Sequence, residues 1–145
     1  QNEFRCFIFN GKLNAINQLC WDQYIPEFEQ NRDIQASIVQ SIEYLHNKVV
    51  DLLPFASSIM DVIYDESTKS SQICEFNAFG PYLCTGSQLY NWQEDWTLIY
   101  GTGTNKKPDF RLLLPGMHVE NQFELYLAKD FWKNYSMEQK KDCMK

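Results

Sequence analysis

Basic residues are too few in this sequence to coat a nucleic acid. Thirteen lysines and arginines stand against 19 aspartates and glutamates, leaving a net charge of −6. Affinity for a polyanion comes mainly from neutralising its phosphates, so such a surface is excluded, while a local basic pair for a small phosphate ligand is not. Paired cysteines are missing too. Cys6, Cys20, Cys74, Cys84 and Cys143 are odd in number, widely spaced and without a Cys-x-x-Cys pair, and His46 and His118 stand alone. This argues against a disulfide framework or a zinc site and reads as a reduced, cytoplasmic protein with buried thiols. There is no signal-peptide pattern and no apolar run long enough to span a membrane. The chain opens at Gln1 rather than Met, which reads as a processed product or a piece of a longer protein.

Apolar residues are plentiful by comparison. Hydrophobic residues make up 44% and aromatics 15% of 145 residues, enough for one ordered domain over 1–145 with a real core. "FRCFIFNGKLNAINQ" carries two strand-like runs around Asn10-Gly11, a pair that favours a type I′ turn. Closing that turn places Phe9 opposite Lys12, Ile8 opposite Leu13 and Arg5 opposite Ile16. Phe4, Cys6, Ile8, Leu13 and Ala15 then form a core side, with Arg5, Phe7, Phe9, Lys12 and Asn14 on the other.

A helix is predicted over 27–52, because Ile34, Ile38, Ile42, Leu45 and Val49 recur at helical spacing, with Pro26 before and Pro54 after them. His46 lies beside this stripe and reads as a structural or solvated histidine. "SIMDVIY" and "QICEFN" predict a second hairpin, closed by residues 65–71, that pairs Tyr64 with Gln72, Val62 with Cys74 and Asp61 with Glu75. In "NWQEDWTLI", Asn91 and Glu94 predict a capped short helix. "GTGTNKKPD" reads as a surface connection; it lacks the Lys-Ser/Thr of a phosphate loop. From "FRLLLPG" onward a strand and then a helix are expected. The fold class is α+β: an antiparallel sheet of hairpins with a long helix packed on it.

The second hairpin brings Asp61, Glu75 and Asn77 to one side of neighbouring strands. Two carboxylates directly opposite each other repel. A solvated face, a protonated carboxyl and a bridging hard cation are the three ways to accommodate them. Oxygen donors of this kind suit magnesium, and Arg5 with Lys12 on one face of the first hairpin would suit phosphate. Carboxylates for a metal plus cations for phosphate is what a nucleoside-triphosphate site requires.

Asp61 on one strand, with Glu75-x-Asn77 and a glycine on the next, resembles the metal-binding pattern of the ATP-grasp superfamily. "EFRCFIFNGKLNAINQ", "DQY", "IMDVIYD" and "CEFNAFGPYLCTGSQLYNW", in that order between about Glu3 and Gly101, are similar to the cell division cycle protein 123 family and its ATP-grasp relatives. That resemblance implies the C-terminal, metal-bearing lobe of an ATP-grasp fold. It implies that Asp61, Glu75 and Asn77 coordinate Mg2+, that Arg5 contacts the phosphates of ATP, and that an upstream lobe of the same protein completes the nucleotide site. Many members carry Asp-Phe-Asn where this chain has Glu75-Phe76-Asn77; glutamate is common there in ATP-grasp ligases. The family implies assembly of translation initiation factor two through its gamma subunit. Two alternatives stand beside it. One is an ATP-dependent carboxylate–amine ligase working through an acyl phosphate, with Tyr82, Ser87, Tyr90 and Trp92 either lining an acceptor pocket or packing. The other is a non-catalytic interaction module that retains the fold.

Overall fold

The computed structural model describes residues 2–19, 24–81 and 89–117. Five strands form one sheet in the order β4-β3-β1-β2-β5: β1 (Glu3–Phe9), β2 (Lys12–Gln18), β3 (Ser58–Asp65), β4 (Ser70–Ala78) and β5 (Asp109–Arg111). The class is α+β, as the two hairpins predict. Asn10 and Gly11 hold φ of 50° and 74°, the left-handed pair that a type I′ turn needs and that Asn-Gly tolerates. β5 adds to β2 in parallel, so the sheet is mixed at that edge.

Both hairpins carry a bulge that simple alternation does not anticipate. Phe9 faces Lys12 and Ile8 faces Leu13, but the register then slips, so Phe7 faces Ala15 and Arg5 faces Asn17 instead of Ile16. Ala15 therefore joins Phe7 on the face opposite the one expected, and Ile16 takes its place beside Cys6. In the second hairpin Asp61 does face Glu75. Beyond it Val62 meets Ile73, not Cys74, and Tyr64 meets Ser71, not Gln72. Cys74 is the extra residue of that bulge, and it is exposed on an edge strand rather than buried, whereas Cys6 is fully buried. Bulges are common at sheet edges, where they twist the rim and limit pairing with other chains.

The predicted long helix is two helices, α1 (Pro26–Gln30) and α2 (Arg32–Val49), followed by a 3-10 turn at Val50–Leu52. Asn31 breaks it. Its backbone is extended (φ −113°, ψ 100°), and its side-chain Oδ1 accepts from the amides of Asp33 and Ile34 at 3.0 and 3.2 Å. An asparagine satisfying two otherwise unpaired amides starts a new helix more cheaply than it continues the old one. α2 then packs Ile38 and Ile42 against Phe4, Cys6, Ile8, Leu13, Ile16, Met60 and Val62, the first core. His46 is buried at the end of this helix.

The other face of the sheet has a core of its own. Phe7, Ala15 and Ile59 are covered by Phe79, Tyr90, Trp92 and Ile99, with Trp92 edge-on to both Phe7 and Phe79. Tyr90 and Trp92 are thus core residues, the packing alternative for them; Tyr82 and Ser87 lie outside the described residues. The cap at Asn91 forms as expected on one side, its Oδ1 accepting from Gln93 and Glu94 amides at 2.8 and 3.2 Å. In return the Asn91 amide donates to Asp95 Oδ2 at 2.8 Å and not to Glu94, and the helix that follows, α3, is only Trp96–Ile99. The helix expected after "FRLLLPG" lies outside the described residues, as do Cys20, Cys84, Cys143 and His118. Among the described residues no helix is long and apolar enough to cross a membrane.

Candidate functional site

The register lines up one residue from each strand in a single row across the sheet. Glu75 faces Asp61, Asp61 faces Arg5, Arg5 faces Asn17 and Asn17 faces Arg111. Direct cross-strand partners share a face, so five polar residues form one stripe beside the second aromatic core.

Arg5 and Asp61 form a two-pronged ion pair in the middle of that stripe. Arg5 Nε donates to Asp61 Oδ1 at 2.9 Å and Nη2 donates to Oδ2 at 2.7 Å. Both residues are buried, 8% and 3% exposed, so this is a desolvated fork and not a surface bridge. Asn77 completes the arrangement. Its Nδ2 donates to Asp61 Oδ2 at 3.2 Å and to Glu75 Oε1 at 2.9 Å, so one amide spans both carboxylates. Glu75 is exposed and Asn77 half-buried, which leaves the site open toward solvent on the β4 side. The two facing carboxylates are thus held by an arginine and an amide, a cationic answer to the repulsion between them.

The structure brings together four of the five sequence-predicted site residues: Arg5, Asp61, Glu75 and Asn77. Lys12 shares their face but sits at the turn end of the hairpin, opposite Phe9. Phe9 lies four strand steps from Arg5, roughly 13 Å at the usual rise. Its Nζ donates to the carbonyl of Asn105 at 3.4 Å, tying it to the 101–108 connection.

A divalent cation fits the chemistry of the donors. Asp61, Glu75 and Asn77 offer two carboxylates and an amide oxygen, all hard donors. The amide is turned by the hydrogen bonds it makes here, and its rotation would present oxygen in place of nitrogen. Among the described residues no group of three His, Cys, Asp or Glu is clustered for a metal. The set is therefore too small for a self-sufficient cage, and it matches an ion such as Mg2+ that keeps waters and shares phosphate oxygens.

A second fork was missed in the sequence. Arg111 donates through Nη1 and Nη2 to Asp95 Oδ2 and Oδ1 at 2.9 and 2.7 Å, and through Nε to Asp109 Oδ2 at 3.2 Å. Its guanidinium lies 4.2 Å from the centre of the Tyr90 ring, whose hydroxyl donates to Asp109 Oδ2 at 2.8 Å. This network locks β5 and the 89–95 segment onto the sheet. No local pattern marks it, because it depends on β5 reaching β2 from more than 90 residues away in sequence.

Burial, and then the Asp109 carboxylate, push the Tyr90 hydroxyl far above the ordinary 10.0. An acid whose folded value is raised stabilises the fold below its unfolded value and loses that contribution as pH rises beyond it. Tyr90 is neutral in the fold and ionises in the unfolded chain near pH 10, so the loss begins there. Denaturant titrations of the parent and Tyr90→Phe should therefore converge above pH 10, with the advantage of the parent shrinking by about 1.4 kcal/mol per pH unit. Parallel curves would contradict the assignment.

The D123 family model matches residues 1–134 of this chain. A CDC123-like protein, L884, of Acanthamoeba polyphaga mimivirus is 37% identical over 106 residues, covering 67% of this chain and 31% of that protein. The translation initiation factor eIF2 assembly protein of Xenopus laevis is 31% identical over 93 residues, 63% of this chain and 26% of that protein. The structure of Cdc123 from Schizosaccharomyces pombe superposes with a TM-score of 0.63 at 27% identity, over 78% of this chain and 41% of that one. The chain spans about a third or less of the length of these curated relatives.

Proposed function

Because the chain belongs to the D123 family, we propose that it is the metal-bearing lobe of an ATP- and Mg2+-binding protein of the ATP-grasp type, acting in assembly of translation initiation factor eIF2. The observation that carries the reading is the convergence of Asp61, Glu75 and Asn77 beside Arg5 on one partly open sheet face. Asp61 and Glu75 would hold the metal, with Asn77 turning its amide oxygen toward it. Bound there, Mg2+ would supply neutralisation between phosphate groups and fix their orientation. Arg5 provides a planar fork for two oxygens at once, and the low exposure of Arg5 and Asp61 strengthens each charge–charge contact made there. Lys12, engaged toward Asn105 at the far end of the face, is assigned no phosphate.

The relatives named eIF2 assembly proteins support a translation-factor partner, which we take to be the gamma subunit. The ligase reading needs an acceptor pocket, and Tyr90 and Trp92, two of its candidate walls, are consumed by the aromatic core. Calorimetric titration of the intact protein with Mg2+–ATP tests the nucleotide site. Arg5→Lys keeps the charge and loses the fork, so affinity should fall by about 1–2 kcal/mol, the scale of a charge-assisted hydrogen bond. Equal affinities would remove Arg5 from the phosphate contacts.

A further inference from the structure

Asn17 is the residue of the polar stripe with no evident task. It is fully buried, 0% exposed, and its Nδ2 donates to the carbonyl of Gln18 at 2.8 Å. Its Oδ1 is buried and accepts no hydrogen bond. A buried acceptor without a donor costs free energy that a leucine of similar size would not. It stands directly opposite Arg5, so their Cβ atoms are about 5 Å apart on one face. A guanidinium reaches that far by changing rotamer.

Arg5 and a metal ion draw on the same two atoms: both Asp61 oxygens accept from the arginine fork and Oδ2 accepts from Asn77 as well, so three of about four acceptor sites are in use. Resting on the metal reading above, we propose that Asn17 is a positioning residue that receives Arg5 when a divalent cation occupies Asp61. In the closed arrangement Arg5 neutralises Asp61 and the amide oxygen of Asn17 goes unmet. In the loaded arrangement Asp61 faces the cation, one Arg5 N–H meets Asn17 Oδ1, and the other donors face the phosphates. The same geometry makes metal entry depend on nucleotide. A cation alone has to displace a buried arginine, whereas a cation with phosphate offers that arginine a new anionic partner.

Mn2+ binding to the intact protein, followed by electron paramagnetic resonance with and without ATP, tests this. The parent should take up Mn2+ with ATP far better than Mn2+ alone. Asn17→Leu should weaken Mn2+–ATP binding about five- to tenfold, the worth of one hydrogen bond. Its unfolding midpoint does not decide the matter, because leucine sheds the unmet Oδ1 but also gives up the bond to the Gln18 carbonyl. Asn17→Asp should raise affinity for Mn2+ alone by at least as much, because a carboxylate on that side draws Arg5 off Asp61. A purely structural Asn17 predicts unchanged Mn2+–ATP binding in the folded variant. Unchanged Mn2+–ATP affinity in a folded Asn17→Leu protein overturns the inference while leaving the metal site standing. Should Asn17→Leu fail to fold, absence of any Mn2+ gain in Asn17→Asp overturns it equally. No Mn2+–ATP binding by the parent, or binding untouched by Asp61→Asn, defeats the metal reading itself and the role of Asn17 with it.

Discussion

Arg5→Met should destabilise the fold by about 3–5 kcal/mol, the cost of leaving one partner of a buried ion pair uncompensated. Asp61 is 3% exposed and would keep the 3.2 Å bond from Asn77 as its remaining contact among those described above. Methionine fills much of the volume of the arginine stem, so the loss reports charge and not a cavity. Two further measurements separate the pair from its surroundings. The double variant Arg5→Met/Asp61→Leu should recover most of the stability, because a buried ion pair replaced by apolar groups is often neutral. Mg2+ should raise the unfolding midpoint of Arg5→Met more than that of the parent, since the arginine no longer holds the Asp61 oxygens. Urea titrations of the parent, Arg5→Met and the double variant, with and without Mg2+, check both statements. A single variant as stable as the parent would mean that the fork contributes nothing.

Gly101→Ala should cost about 2–4 kcal/mol for two reasons that add. Gly101 has φ of +65°, a region that a residue with a Cβ enters at about 1–2 kcal/mol. A methyl there would also stand 2.2 Å from Oδ1 of Asn14. Asn14 is the extra residue of the first bulge, and its Nδ2 donates to the buried carbonyl of Ile99 at 3.2 Å. Displacing it breaks that bond, worth about 1 kcal/mol or more when a buried carbonyl is left unmet, and loosens the seat of α3. Two control glycines divide the effects. Gly116 shares the positive φ, +75°, with nothing within 4 Å, and should lose only the backbone part. Gly103 has open space and no positive φ, and alanine there should be tolerated. Equal losses at 101 and 116 would show that the contact with Asn14 is immaterial.

The legible parts of this fold are those encoded by short-range chemistry. Asn10-Gly11 specifies its turn by φ, and alternation on either side places Arg5 and Phe7 together; the facing of Asp61 and Glu75 follows from the loop between their strands. The illegible parts need an extra residue or a distant one. A bulge shifts register without altering composition, so Asn14 and Cys74 passed as ordinary alternating positions. Ala15 consequently moved to the other face. Asn31 is one polar residue within a helical pattern, and nothing local distinguishes it from the N-cap of α2 that its side chain makes it. The second core draws Phe79, Tyr90, Trp92 and Ile99 from an irregular segment in which no period announces burial. The Arg111 fork joins residues whose meeting depends on a parallel pairing between β2 and β5. At the candidate site, sequence supplied the residue types and the shared face. The fold alone seats Arg5 on Asp61 and sets Asn17 opposite Arg5.

The claim that Asp61, Glu75 and Asn77 share one cation is tested most directly by anomalous scattering. Crystals of the intact protein grown with Mn2+ and a non-hydrolysable ATP analogue would place the metal without reference to the protein density. The expected result is an anomalous peak about 2.0–2.3 Å from carboxylate oxygens of Asp61 and Glu75, with Arg5 moved off Asp61 and the peak lost in Asp61→Asn crystals. Bound nucleotide with Arg5 still forked onto Asp61, and the manganese elsewhere, would contradict it.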